Sequence, residues 1–195
     1  MLKVLEKIIK KSKYHFDYID LGGGMGIDYN NDKINLNFKK YCSSIKKLIK
    51  KYTSRVIFEP GRSIIGNTGI LISKIIYIKE GYKKNFIILD AAMNDLIRPA
   101  LYGAKHRIIP AKKNNYRSNK VYEFVGPICE STDKFLTQKK FQKVEEKDYI
   151  LICDVGAYGM SLSSNYNLRP KAAELIIKNS KVQIISKRQK LKELI

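Results

Sequence analysis

The apolar pattern changes period near residue 67, and that change restricts the chain to folds with two dissimilar parts. Upstream, Leu2, Leu5, Ile8 and Ile9 fall on one face of a predicted helix over about residues 1–12. A buried strand, Phe16–Leu21, then runs directly into Gly22-Gly23-Gly24. Residues 37–53 carry helical spacing around Tyr41, Ile45, Leu48 and Ile49, and a second strand, Arg55–Phe58, ends in Glu59-Pro60-Gly61-Arg62. Helix, strand and loop in this order are the grammar of a parallel α/β barrel, whose functional loops follow its strands. Downstream, β-branched runs at Ile70–Lys79, Asn85–Leu89, Val121–Val125, Tyr149–Cys153 and Val182–Ile185 predict an antiparallel β domain. The fold class expected is α/β plus all-β, with residues 1–67 in the first domain and 68–195 in the second. Residues 111–120, mostly polar, predict a mobile connector.

Composition narrows the function classes. The formal net charge of +20 invites a nucleic-acid reading. Lysines, however, spread along the chain instead of clustering beside aromatic platforms. Their abundance accompanies that of Ile, Asn and Tyr in a chain without Trp, as an AT-rich coding sequence would impose. No nucleic-acid partner is expected. No apolar run reaches membrane-spanning length, so no membrane partner is expected either. Cys42, Cys129 and Cys153 share no metal-ligand spacing and are too few for a disulfide framework, which suits a reducing cytoplasm. Cys42 and Cys153 are expected as core residues, on a helix and at the end of an apolar strand. The amphipathic start runs straight into a strand without a cleavage-like site, so it reads as a packing helix.

Three loops carry candidate chemistry. Without Cβ atoms, Gly22–Gly24 can turn sharply and aim several N–H groups at an anion. On glycine count alone, a plain tight turn is the simpler reading. Glu59-Pro60-Gly61-Arg62 closes the next strand and strengthens the ligand reading. Gly61 can offer an N–H at close range, Arg62 a forked cation for phosphate or carboxylate, and Glu59 a carboxylate for a cationic ring nitrogen; a surface ion pair is the alternative. Gly126-Pro127-Ile128-Cys129-Glu130-Ser131 sets a thiol beside a carboxylate in a short turn, and one Cys beside one Glu means little by itself. Tyr158 is flanked by Gly156 and Gly159, which would let its ring approach a ligand. His15 and His106 have no partners at catalytic spacing and read as structural. The polar stretch Ser163–Pro170 reads as a segment that shapes its loop.

Taken in order, Leu21–Gly26, Phe58–Arg62, Asp90–Asp95, Asn94–Tyr102, Gly126–Ser131, Gly156–Ser161 and Arg169–Glu174 resemble the carboxyl-terminal half of the diaminopimelate decarboxylase family. These are fold-type III enzymes that use pyridoxal 5'-phosphate (PLP). The resemblance implies the last strands and helices of a PLP-binding (β/α)8 barrel, followed by a C-terminal antiparallel β-barrel domain, assembled as a homodimer with shared active sites. It implies that Gly24, Glu59, Pro60, Gly61, Arg62 and Tyr158 bind PLP. Arg62, Arg98, Tyr102, Glu130 and Tyr158 would line the substrate site, with Glu130 facing the distal ammonium of meso-diaminopimelate and Arg98 with Tyr102 its distal carboxylate. Cys129 would protonate the α-carbon left by loss of CO2, from across the dimer interface. The family's cofactor-anchoring lysine and its cofactor-stacking histidine lie upstream of the glycine run. No lysine here sits in that motif, so the chain reads as a carboxyl-terminal fragment whose activity alone is doubtful. The competing readings are half of a split enzyme with a complementing amino-terminal chain, a non-catalytic remnant, and an ornithine-type decarboxylase. Glu130 directly after Cys129 argues against the last, whose members usually show Asp-Gly there.

Overall fold

The computed structural model describes residues 2–12, 14, 16–29, 37–113 and 115–195; at 48–50, 53 and 54 it describes the backbone alone. His15 and the side chains of Leu48 and Ile49 lie outside the described residues. The chain forms two compact units, residues 1–65 and 66–195.

In the first unit, α1 (Leu2–Ser12) and α2 (Phe38–Tyr52) accompany two parallel strands, β1 (Phe16–Asp20) and β2 (Thr53–Ile57). Asn37 begins α2 as a polar cap, its side-chain oxygen accepting the Lys40 N–H at 2.9 Å. Ile9, Ile19, Leu21 and Ile45 form the core, with Leu2 and Leu5 packed against it. Ile8, expected on the same face, is exposed. The Tyr52 hydroxyl donates to Glu6 Oε1 at 2.8 Å and ties the two helices together. A short α3 (Arg62–Ile65) follows β2. Among the described residues this unit holds one parallel strand pair, which cannot close a barrel.

The second unit is a curled six-stranded half-barrel. Its strands are β3 (Ile70–Glu80), β4 (Asn85–Leu89), β5 (Ile108–Pro110), β6 (Val121–Val125), β7 (Lys134–Lys139) and β8 (Tyr149–Cys153), in the order β5-β8-β3-β4-β6-β7. The long β3 pairs with β8 over Ile70–Lys74 and with β4 over Ile75–Glu80, with a register shift between Ile75 and Tyr77. A bulge of this kind bends a strand, which is how one segment can serve both halves of a curled sheet. Ile75, Ile87, Leu89, Leu96, Phe124, Ile150 and Ile152 fill the core, and Phe124 meets Phe141 edge-to-face at 4.8 Å.

Two expectations are corrected. The domain is not wholly antiparallel, because β4 and β6 pair in parallel, the intervening chain crossing through α4 (Arg98–Tyr102) and β5. Nor does the six-stranded sheet close into a barrel: β5 and β7 are its edges, and β9 (Glu174–Lys178) and β10 (Lys181–Ser186) form a separate hairpin. Strands β5, β7 and β9 were not anticipated. The polar connector is bonded to the segment that follows β7, with Ser118 N donating to Phe141 O and Lys143 N to Tyr116 O. Among the described residues no helix is long and apolar enough to cross a membrane.

Candidate active site

In the first unit, the glycine run and the Glu59 loop lie side by side because they end paired strands. Leu21 N donates to Ile57 O at 3.0 Å and Glu59 N to Gly22 O at 2.9 Å. A Cβ on Gly23 would stand 2.5 Å from the Glu59 carbonyl, so only glycine allows this approach. Gly22 and Gly24 adopt left-handed backbone (φ 64° and 79°), with open space where a side chain would stand. Glu59 and Gly61 are exposed, Pro60 and Arg62 half-buried, and the Arg62 guanidinium lies 6.0 Å from the Tyr29 ring. The unit therefore gathers open glycine backbone, a carboxylate and a guanidinium on two adjoining loops. That donor set suits a ligand with an anionic group and a protonated ring.

In the second unit, Cys129 is exposed on a turn that Asp133 builds. The buried Asp133 carboxylate accepts Ile128 N at 2.9 Å and Met93 N at 2.7 Å, while its carbonyl accepts Gly126 N at 3.1 Å. Burial pushes the Asp133 carboxyl above the ordinary range, against the lowering effect of those two N–H bonds. Beside Cys129, Glu130 is exposed, and its Oε2 accepts the Tyr166 hydroxyl at 2.9 Å. The hydrogen bond to Glu130 and then its charge raise the Tyr166 phenol, with smaller contributions from burial and from Cys129. Thiol, carboxylate and phenol thus form one cluster.

Arg98 and Tyr102 share α4, which Gly103 ends in left-handed backbone (φ 61°) with its N–H on Pro99 O. Tyr102 is exposed, but Arg98 is only 6% exposed, with its guanidinium 5.8 Å from the Tyr158 ring centroid. Tyr158 is exposed and has φ 66°, an uncommon conformation for an aromatic residue. Close backbone packing holds it there: a Cβ on Gly69 would stand 2.6 Å from Gly156 Cα, and one on Gly159 would strike the Val155 carbonyl. Strain of this kind persists only where surroundings over-determine it, and it concentrates at functional sites.

One segment, Ala92–Asp95, joins these parts. Met93 N reaches Asp133 on the Cys129 turn. Buried Asn94 accepts Arg169 Nε on its Oδ1 at 2.9 Å, and its carbonyl accepts Ser164 N at 2.9 Å. Arg169 also donates to the Asp90 carbonyl.

The structure therefore brings together Cys129 with Glu130, Arg98 with Tyr158, and the glycine run, through Gly22 and Gly23, with Glu59. Sequence reasoning missed Tyr166, assigned only to loop shaping, and also Asp133, Asn94 and Arg169. A buried position for Asp133 is signalled by Phe135 two residues on, but nothing local marks Tyr166 as the partner of Glu130. Cys42, expected in the core, is exposed, whereas Cys153 is buried. A cavity of about 540 Å³ between Ile78, Glu80, Tyr116, Lys120, Tyr122 and Val144 is lined by none of the candidate residues.

Comparison with known proteins agrees with the residue pattern. The chain is 39% identical to diaminopimelate decarboxylases from Aquifex aeolicus, over 97% of its length, and Haemophilus influenzae, over 99%. It spans only 44% and 46% of those proteins. It also superposes on the crystal structure of diaminopimelate decarboxylase from Helicobacter pylori complexed with L-lysine, with a TM-score of 0.84 and 38% identity over 98% of this chain and 47% of that one. Residues 11–156 match the family model described as the pyridoxal-dependent decarboxylase C-terminal sheet domain, and the chain belongs to that family.

Proposed function

We propose that this chain supplies the carboxyl-terminal portion of a diaminopimelate decarboxylase, which converts meso-2,6-diaminopimelate to L-lysine and CO2. The observation that carries the reading is the Cys129–Glu130–Tyr166 cluster: an exposed thiol is fixed beside a carboxylate already engaged as an acceptor. An acid for the α-carbon and a partner for a distal ammonium are what this substrate requires. The likeness to decarboxylases that carry this name supports the same reading.

The first unit would be the last part of a cofactor-binding (β/α)8 barrel. Its residues fit PLP: Gly24, with open space beside it, and exposed Gly61 can offer backbone N–H groups, Pro60 shapes that loop, Arg62 offers a forked cation, and Glu59 can keep a pyridine nitrogen protonated. PLP, when bound, provides the electron sink that makes loss of CO2 accessible. The rest falls to the protein. Arg62, Arg98 and Tyr102 hold carboxylate oxygens and Glu130 holds the distal ammonium. Tyr158 bounds the cofactor and the substrate together, and the Cys129 thiol delivers a proton to the α-carbon. The anchoring lysine would come from the family's amino-terminal portion, on the same polypeptide or on a complementing chain. In a homodimer, Cys129 and Glu130 would complete the partner's site.

The test is to assemble the chain with that amino-terminal portion and follow L-lysine and CO2 formed from meso-diaminopimelate. Cys129→Ala is expected to slow turnover about 10²–10⁴-fold, the usual span for a general acid, while substrate binding stays nearly intact. Turnover of ornithine in preference to diaminopimelate, or undiminished activity of the variant, would refute the assignment.

A further inference from the structure

His106 is 1% exposed and lies between two parts of the candidate site. Its Nδ1 is 3.0 Å from the Cys153 carbonyl oxygen and its Nε2 is 3.3 Å from Arg98 Nη1. A carbonyl oxygen only accepts, so Nδ1 carries the proton. A guanidinium only donates, so Nε2 presents its lone pair. The two neighbours together select one neutral tautomer. Backbone pairing sets this placement: Cys153 N donates to Arg107 O at 2.8 Å, continuing the β5–β8 ladder that matches Ile108 with Ile152. Strand β8 then leads through Asp154 into the loop of Tyr158, whose ring flanks the same guanidinium.

We infer that His106 is a positioning residue that anchors on the Cys153 carbonyl and accepts from Arg98, thereby fixing the guanidinium against the Tyr158 ring. It couples α4, which carries Arg98 and Tyr102, to the Tyr158 loop, so that the carboxylate-binding cation is held in place before substrate arrives. The surroundings are consistent with a neutral ring. Burial lowers the tendency of His106 to protonate and the Arg98 charge lowers it further, against the opposing effects of the Cys153 carbonyl and of Asp154. A second proton would convert Nε2 into a donor facing a donor.

The consequence for catalysis rests on the substrate-side role proposed for Arg98, so the experiment reads positioning and function separately. In the full chain, nitrogen-15 NMR of the imidazole is expected to show the Nδ1–H tautomer at neutral pH, and the Arg98 guanidinium protons to carry a ring-current shift from Tyr158. His106→Gln, whose amide offers both an N–H donor and an oxygen acceptor, should keep that shift, and His106→Leu should lose it. An Nε2–H or doubly protonated ring, or a guanidinium shift unchanged in the Leu variant, would overturn the inference. If the Leu variant does not fold, the tautomer and the Gln variant decide. In the assembled decarboxylase, His106→Leu should raise KM for diaminopimelate about ten- to a hundred-fold, the span of one hydrogen bond to a charged group, with kcat little changed and Gln restoring most of the loss. A lost guanidinium shift with KM unmoved would leave the positioning in place and refute the substrate role of Arg98.

Discussion

Gly126→Ala tests whether the Cys129 turn is built as described. Gly126 is not in left-handed backbone, so alanine meets no conformational penalty there. On chain entropy alone the change would stabilise by about 0.4–1 kcal/mol. The objection is steric: a Cβ would stand 2.6 Å from Asp133 Oδ1, closer still to Oδ2, and 2.7 Å from Ala92 Cα. Ala92 is backbone and cannot swing away, so Asp133 must move or the turn must open. Overpacking of this kind costs about 1–3 kcal/mol. A displaced Asp133 would also strand the N–H groups of Ile128 and Met93, and each such charge-assisted bond is worth about 1.5–3 kcal/mol. The overpacking and one lost bond, less the entropy gain, give a net loss of about 1.5–5.5 kcal/mol, and because the chain takes the cheaper escape the lower half of that span is expected. Urea unfolding of the full chain, followed by a probe in the second unit, measures it. Gly103→Ala is the control: it has open space but φ 61°, so its cost is conformational, about 1 kcal/mol. A Gly126→Ala variant as stable as the parent would refute the steric account, and with it the claim that Asp133 holds the turn.

Timed alkylation with mass readout should find Cys42 and Cys129 modified in the folded chain and Cys153 only on unfolding; early modification of Cys153 would contradict its burial and the anchoring of His106 beside it. The Asp133 carboxyl is held above its unfolded value, so the folded state takes up its proton more readily than the unfolded state does. The stability linked to that proton is present below about pH 4, the unfolded value, and is lost as pH rises through the higher folded value. The stability difference, parent minus Asp133→Asn, should therefore shrink as pH rises through that window, and a difference that grows would show that the N–H bonds outweigh burial.

Much of the second unit was legible because its central strands are long apolar runs bounded by turn residues. Strands β3, β4, β6 and β8 fit that description. Strand β7 did not: in Lys134-Phe135-Leu136-Thr137-Gln138-Lys139 only Phe135 is buried, and polar residues at a sheet edge resemble a loop. Strand β5 is three residues long and is defined by β8, not by its own sequence. The parallel β4–β6 pairing is a consequence of topology, which periodicity does not report. Cys42 was misplaced because a free Cys on an amphipathic helix is usually buried, whereas the apolar stripe of α2 runs through Tyr41 and Ile45 and leaves Cys42 outside it. Among the candidate residues, groupings adjacent in sequence could be read from the sequence, as in Cys129-Glu130 and Glu59–Arg62. Partners joined only in space were not: Tyr166 and Glu130 are 36 residues apart, and Cys153 and His106 are 47 apart.

Those long-range partners explain why the second unit can hold a thiol, a phenol and a guanidinium in register while each sits on a loop or a single-turn helix. Loops of this length ordinarily fluctuate, and site residues on them lose precision unless something rigid fixes them. Here Ala92–Asp95 leaves the buried end of β4 and bonds outward in several directions: to Asp133 below Cys129, and to Ser164 and Arg169 next to Tyr166. The same segment then leads directly into α4 and Arg98. Asp95 secures the segment by accepting Ala92 N at 2.9 Å, although burial raises its carboxyl as it does that of Asp133. A buried carboxylate, a half-buried one and a buried amide are an expensive way to build a turn if stability alone were required, since apolar packing would do as well. Their use makes sense where several candidate site groups share one rigid reference, and the cost of burying them is offset by the backbone N–H groups they satisfy.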